Sequence, residues 1–330
     1  MHFPWTHTQW QQLAQRVNEQ RLPHALLFCG IEGLGKAKLA IEFAHALLCE
    51  QPNSDFVACR ACRSCTQFDA STHPDFLLVE PEEEGKPIKV DQIRGLTESL
   101  ELASHHGGYR VAIIQPADAM NLAAANSLLK SLEEPPANTL MILVTSNKTA
   151  LPATILSRCQ RVNFDAPGLD MAMSWLNKHH PEYASQGEAL LAMASGAPLK
   201  ALQTADSEDI AQRDEVFQLF LDTASGRELG LANKAPWLKA GIATPIKWVY
   251  SWVTDLIKLK THLGQAVINH DKLTDLQKIA QQVELDGLYC YLDRLLETLK
   301  KQRAPLNAQM IFDDLLLEWR SLTDKSSERA

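Results

Sequence analysis

The chain has 330 residues, 45% hydrophobic and 22% charged, enough apolar material for two or three domains with real cores. Its 32 basic residues face 40 acidic ones, a formal net charge of −8, which excludes a surface that grips nucleic acid all over; any such contact needs a local basic patch. No apolar run reaches the roughly 18–20 residues of a membrane span, and "MHFPWTHTQW" lacks the charged start and apolar core of a signal peptide, so the expectation is a cytoplasmic chain without membrane contact.

Up to about residue 165 the pattern alternates strand and helix. "ALLFC" (Ala25–Cys29) is a short apolar run that leads into a glycine-rich loop, and "KLAIEFAHALL" (Lys38–Leu48) then has its apolar residues at helical spacing. "DFLLVE", "RVAIIQ", "LMILVTS" and "RVNF" are further β-rich runs. Between them lie "DQIRGLTESLELA", with Asp91 as expected N-cap, and "NLAAANSLLKSLEE", with Asn121 in that role and Pro135–Pro136 as its stop. Apolar strands separated by helices predict an α/β domain whose parallel sheet is covered on both faces.

After Phe164 the strands vanish. "FDAPG" reads as a linker, and Gly196 and Pro198 break a helix pair near "ASGAPLKAL". From about Ser207 come longer helical stretches, "VFQLFLDTA", "PIKWVYSWVTDLIKL" and "PLNAQMIFDDLLLEWRSL", with Trp248 and Trp252 on one buried face. The polar end "TDKSSERA" is expected to fray. The predicted division is an α/β domain over 1–165, a small helical domain over 166–205 and an all-α domain over 206–330.

The loop "GIEGLGKAK" nearly spells a phosphate-binding loop, which asks for a glycine, four free positions, Gly-Lys and a hydroxyl. Gly30, Gly33, Gly35 and Lys36 supply the cradle for phosphates, but Ala37 stands where the hydroxyl that helps hold Mg²⁺ belongs. The strand "RVAIIQ" should end in a metal-binding acid followed by a water-activating one. It ends in Gln115 and Pro116, which can do neither, and Asp118 reads as a turn or cap residue. Three parts of a hydrolytic site are missing together, so the expectation is weak or absent nucleotide binding and no intrinsic ATPase.

Seven cysteines carry a second signal. Cys49, Cys59, Cys62 and Cys65 crowd into one segment, about 49–66, while Cys29, Cys159 and Cys290 are scattered. In a chain with no export signal such a cluster reads as four thiolates around a structural Zn²⁺ and not as a disulfide framework; free buried thiols are the plainer alternative. "TILSRCQ" places Arg158 in a loop. Alone, such an arginine is a surface ion pair; beside a nucleotide held by a neighbouring subunit it becomes a catalytic group. The pairs His105–His106 and His179–His180 read as solvent-facing, and "PEEEGK" as a charged loop.

Taken together, "RLPHALLFCG", the cysteine cluster, "THPDF", "AAANSLLKSLEEPP", "TILSRCQ" and "GAPLKAL" resemble the delta-prime family of bacterial DNA polymerase III clamp-loader subunits. The resemblance is carried by motifs up to about residue 205 and beyond that by helical character and length. It implies a RecA-like AAA+ domain and helical lid on a helical collar, in a five-membered ring with three ATP-hydrolysing gamma/tau copies and one delta, which loads the sliding clamp onto primed DNA within the polymerase (nucleotidyltransferase) holoenzyme. It also implies a rigid stator with a degenerate nucleotide site that offers Arg158 to a neighbour as an arginine finger. Lys36 is retained although the family tolerates its loss. Leu199 stands where an active relative carries a sensing arginine, with Lys200 about 100° round the helix, and Thr145 matches the polar sensor position. Two rivals remain at this point: an ATP-hydrolysing P-loop protein, either a gamma/tau-like clamp-loader subunit or a nucleotide kinase, and a zinc-dependent nucleic-acid-binding module.

Overall fold

A computed structural model describes residues 3–327 apart from 84, 103, 105–106, 204, 206, 227–240, 262, 264–266 and 302–307; the His105–His106 pair therefore lies outside the described residues. The chain divides into two units, Met1–Pro167 and Gly168–Ala330, so the break falls within the expected linker "FDAPG".

The first unit is built on five strands, β1 (Ala25–Cys29), β2 (Phe76–Val79), β3 (Arg110–Ile114), β4 (Thr139–Thr145) and β5 (Gln160–Asn163), all paired in parallel in the order β2-β3-β4-β1-β5. Parallel strands need helical crossovers. These are α2 (Lys36–Leu48) and α3 (Arg63–Asp69) after β1, α4 (Val90–Glu101) after β2, α5 (Leu122–Glu133) after β3 and the short α6 (Ala153–Leu156) after β4, with α1 (His7–Asn18) leading in. Strands β1, β3 and β4 are buried at every position, as a sheet covered on both faces requires. Ala25, Leu27 and Cys29 alternate onto one face with Ala112, Ile114, Met141 and Leu143. There they meet Ile93, Leu96 and Leu100 of α4 and Ala124, Ala125, Leu128 and Leu132 of α5. Helix α2 lies against β3 and β4, and its Phe43 meets Trp10 of α1 edge to face at 6.0 Å.

Asn121 caps α5 as expected, its side chain accepting from the Ala124 N–H at 2.8 Å. Asp91 does not cap α4. The helix starts two residues earlier, with Lys89 at the N-cap, its N–H donating to Gln92 Oε1 at 3.0 Å. Asp91 falls in the first turn, where a carboxylate still complements the helix dipole.

The second unit is helical: α7 (Leu169–His179), α8 (Gly187–Met193), α9 (Pro198–Gln203), α10 (Ser207–Ala224), α11 (Ala243–Lys260), α12 (Leu273–Gln282), α13 (Leu285–Lys301) and α14 (Ala308–Ser327). A small apolar cluster of Ala172, Leu190, Leu191, Ala194 and Ala201 joins α7, α8 and α9. A larger one draws Val216 and Phe220 of α10, Trp248 and Trp252 of α11, Leu288 and Tyr291 of α13 and Phe312 and Trp319 of α14. Trp248 and Trp252 are thus one buried face, as their spacing predicts. Of the polar end expected to fray from Thr323, α14 continues to Ser327, with Thr323 itself buried, and 328–330 lie outside the described residues. Once a helix is nucleated and packed, each further residue adds a hydrogen bond without a new nucleation cost, and polar residues extend it.

Candidate functional site

The glycine-rich loop joins β1 to α2. Gly33 and Gly35 both have φ of +81°, the left-handed region that glycine enters without a Cβ penalty. Gly30 answers a different demand, because a Cβ there would stand 2.3 Å from the Phe164 carbonyl oxygen. The loop therefore needs its glycines to exist at all. Lys36 is 4% exposed, and its ammonium donates to the carbonyls of Gly30 and Ile31, both at 2.7 Å, and to Ser146 Oγ at 3.4 Å. Burial pushes its pKa down, an effect that Asp118, then Glu32 and Cys29, oppose. The lysine closes its own loop.

Beyond β3, Gln115 is turned aside, donating from Nε2 to Glu80 Oε1 at 2.9 Å. Asp118 is more than a turn residue. One carboxylate oxygen, Oδ1, accepts from Thr145 Oγ1 at 2.7 Å and from the Ser146 N–H at 3.3 Å, so it ties the turn after β3 to the end of β4. Sequence reasoning identified Thr145 as a sensor-like position but missed its partner, because the acid stands outside the spacing that the metal-binding pattern prescribes. Leu199 and Lys200 lie on α9 in the second unit.

The cysteine cluster is assembled by the end of α2 and the start of α3. Cys49 caps α2, and Cys62 is the N-cap of α3. The four sulfurs lie within 4.8 Å of one another, with Cys49–Cys62 at 4.0 Å and Cys59–Cys65 at 3.8 Å. A tetrahedral site with metal–sulfur bonds of about 2.3 Å has edges of about 3.8 Å, and a disulfide would need about 2.05 Å. Three backbone N–H groups point at the sulfurs: Cys59 to Cys49 at 3.3 Å, Cys62 to Cys59 at 3.3 Å and Cys65 to Cys62 at 3.4 Å. Such donors favour thiolates. Backbone hydrogen bonds, that from Ala61 foremost, bring the exposed Cys59 down to about 6, while burial pushes Cys49 and Cys65 up. The donor set and its geometry fit a structural metal ion with four protein ligands.

A buried chain of hydrogen bonds ties this loop to the sheet and explains the motif "THPDF". Ser64 Oγ donates to the Leu48 carbonyl at 2.5 Å and pairs with His73 Nε2 at 2.9 Å. The Asp75 N–H donates to His73 Nδ1 at 3.1 Å, so the ring proton sits on Nε2 and is given to Ser64. Asp75 in turn lies 3.4 Å from Arg110 Nε on β3, with both side chains buried.

Arg158 sits on the turn between α6 and β5. Its Nη1 donates to the Thr154 carbonyl at 2.9 Å and to Ser157 Oγ at 3.3 Å, and its Nη2 lies 2.5 Å from Glu133 Oε1 at the end of α5. The side chain stays one-third exposed. His179 and His180 flank Trp175 with ring centroids at 5.3 and 5.7 Å, and His180 pairs with Glu182 at 3.2 Å; no metal-ligand cluster forms there among the described residues.

A parallel sheet in the order β2-β3-β4-β1-β5, whose first strand feeds a glycine loop and helix, defines a P-loop α/β protein, here carrying a four-cysteine module and a helical second half. Comparison with known proteins narrows this class. The family described as "DNA polymerase III, delta subunit" matches residues 5–168, and its C-terminal counterpart matches 207–321. DNA polymerase III subunit delta' of Pseudomonas aeruginosa is 32% identical over 97% of this chain and 98% of its own. The Haemophilus influenzae protein of that name is 30% identical over 92% and 90%, and that of Escherichia coli 30% over 96% and 94%. The chain belongs to the DNA polymerase III subunit delta' family.

Proposed function

We propose that this chain is a non-hydrolysing clamp-loader subunit, the stator of a ring with gamma/tau and delta, which loads a sliding clamp onto primed DNA in the cytoplasm. The observation that carries the reading is the state of the phosphate loop. The fold keeps the cradle, but Ala37, Gln115 and Pro116 occupy the magnesium and base positions, and the Gln115 side chain is turned aside onto Glu80. Phosphoryl transfer on a P-loop needs a lysine on the phosphates and a metal held by a hydroxyl and an acid, so any nucleotide held by Gly30, Gly33, Gly35 and Lys36 is bound weakly and not turned over. Cys49, Cys59, Cys62 and Cys65 hold a structural Zn²⁺. Residues 166–205 serve as a lid, and 206–330 as a collar for assembly, a division supported by the two apolar clusters of the helical unit.

Arg158 is the catalytic contribution, made in trans. A planar, permanently charged guanidinium on an exposed turn can meet a neighbour's γ-phosphate and stabilise the charge that grows on its oxygens. Arg158→Ala in the assembled complex is expected to leave assembly intact, lower total ATPase in part and lower clamp loading further, because loading needs every site. Fingers of this kind contribute roughly 10³–10⁵ in turnover, so the facing site falls nearly silent. Arg158→Lys should restore little, since an ammonium lacks the forked donors. Normal hydrolysis and loading by the Arg158→Ala complex would overturn the assignment.

A further inference from the structure

We propose that Glu133 is a positioning residue for Arg158, holding the guanidinium in the direction from which it reaches the neighbour's phosphate. The inference rests on the finger reading given above.

The other partners of the guanidinium, the Thr154 carbonyl of the short α6 and Ser157 Oγ, lie within four residues of Arg158 and would move with it. Glu133 ties the side chain to a separate element, with Oε1 2.5 Å from Nη2. That element is well anchored. Leu132, the preceding residue, is 2% exposed in the core against the sheet, and the Glu134 N–H closes the last turn of α5 onto the Lys130 carbonyl at 2.9 Å. Pro135 and Pro136 follow, their φ angles fixed by the pyrrolidine ring. The carboxylate is therefore presented from a rigid point, while arginine, left alone, has many rotamers to lose on docking. A guanidinium has five N–H donors, so these partners leave donors for a phosphoryl oxygen. The pair is one-third exposed on the arginine side and half exposed on the glutamate side, so water screens much of the opposing charge and the geometric gain outweighs it.

Glu133 touches no nucleotide in this scheme and acts through Arg158 alone. This sets its experimental signature apart from that of a residue that merely supports the fold. The test measures steady-state ATPase of the complex assembled with the other clamp-loader subunits, clamp and primed DNA, using Glu133→Ala, Glu133→Gln, Arg158→Ala and the double Ala variant. The readout is the part of turnover that Arg158→Ala removes. Glu133→Ala should lower that part roughly 2–5-fold in kcat with KM for ATP unchanged, the range that exposed ion pairs convert to. Glu133→Gln, which keeps the length and an acceptor oxygen, should fall between Ala and the unmodified chain. In the Arg158→Ala background, Glu133→Ala should change nothing further. Full activity of Glu133→Ala beside a defective Arg158→Ala would overturn this inference and leave the finger standing, and additive losses in the double variant would do the same by showing that Glu133 acts on its own. An Arg158→Ala complex with normal turnover would sink both.

Discussion

Lys36 is a motif residue that this chain retains, and two carbonyls of its own loop receive its ammonium at 2.7 Å while the side chain is buried. These bonds contribute to stability. Lys36→Met should remove the two bonds to the Gly30 and Ile31 carbonyls and lower the unfolding free energy by about 1.5–3 kcal/mol, the net worth of a hydrogen bond from a charged donor. Urea unfolding of the metal-loaded chain checks this, and an unchanged midpoint and slope would refute it. Asp118 is the complementary case. The acid that sequence spacing placed outside the catalytic pattern joins the ends of β3 and β4 through Thr145 and Ser146, so the sensor-like threonine is engaged within its own chain.

At the scale of elements, the cysteine module and the sheet are connected but have separate cores. Cys49, Ala58, Cys62 and Cys65 form their own apolar cluster, and the tie to the sheet runs through Ser64, His73 and Asp75. Native protein should carry about one zinc per chain, as four thiolates fill one tetrahedron; well-folded protein free of zinc would refute the metal reading. Acid should release the metal, because protons compete for each thiolate, and burial already favours the protonated form of Cys49 and Cys65. Cys62→Ser should lose the zinc and loosen residues 49–66 in hydrogen exchange while leaving the amides of β1, β3 and β4 protected. Global collapse of that protection would show that the module supports the whole first unit.

For the whole molecule, the combination of a retained phosphate loop and absent metal ligands predicts a protein that matters only in company. The purified chain should show no magnesium-dependent ATPase above background, and it should co-purify with gamma/tau and delta subunits. Robust turnover by the isolated chain would defeat the stator reading, and failure to associate would defeat the clamp-loader reading itself.

The sequence by itself determined the α/β-then-helical order, the strands, the Asn121 cap, the phosphate loop and the grouping of four cysteines. Each of these rests on local physics: apolar periodicity, glycine at positive φ, capping hydroxyls and amides, and ligands close along the chain. It misjudged two helix boundaries, at Asp91 and Thr323, where neighbouring residues compete for the cap and where packing extends a polar helix end. What only the tertiary structure decided are the encounters between distant residues. The strand order β2-β3-β4-β1-β5 carries the end of β4 to the loop after β1, which lets Lys36 meet Ser146, 110 positions away. It also carries the end of α5 to the turn before β5, which gives Arg158 its carboxylate partner Glu133. No spacing rule reaches across such separations, because the contacts are made by chain crossovers whose geometry is set by the sheet and not by the residues that finally touch.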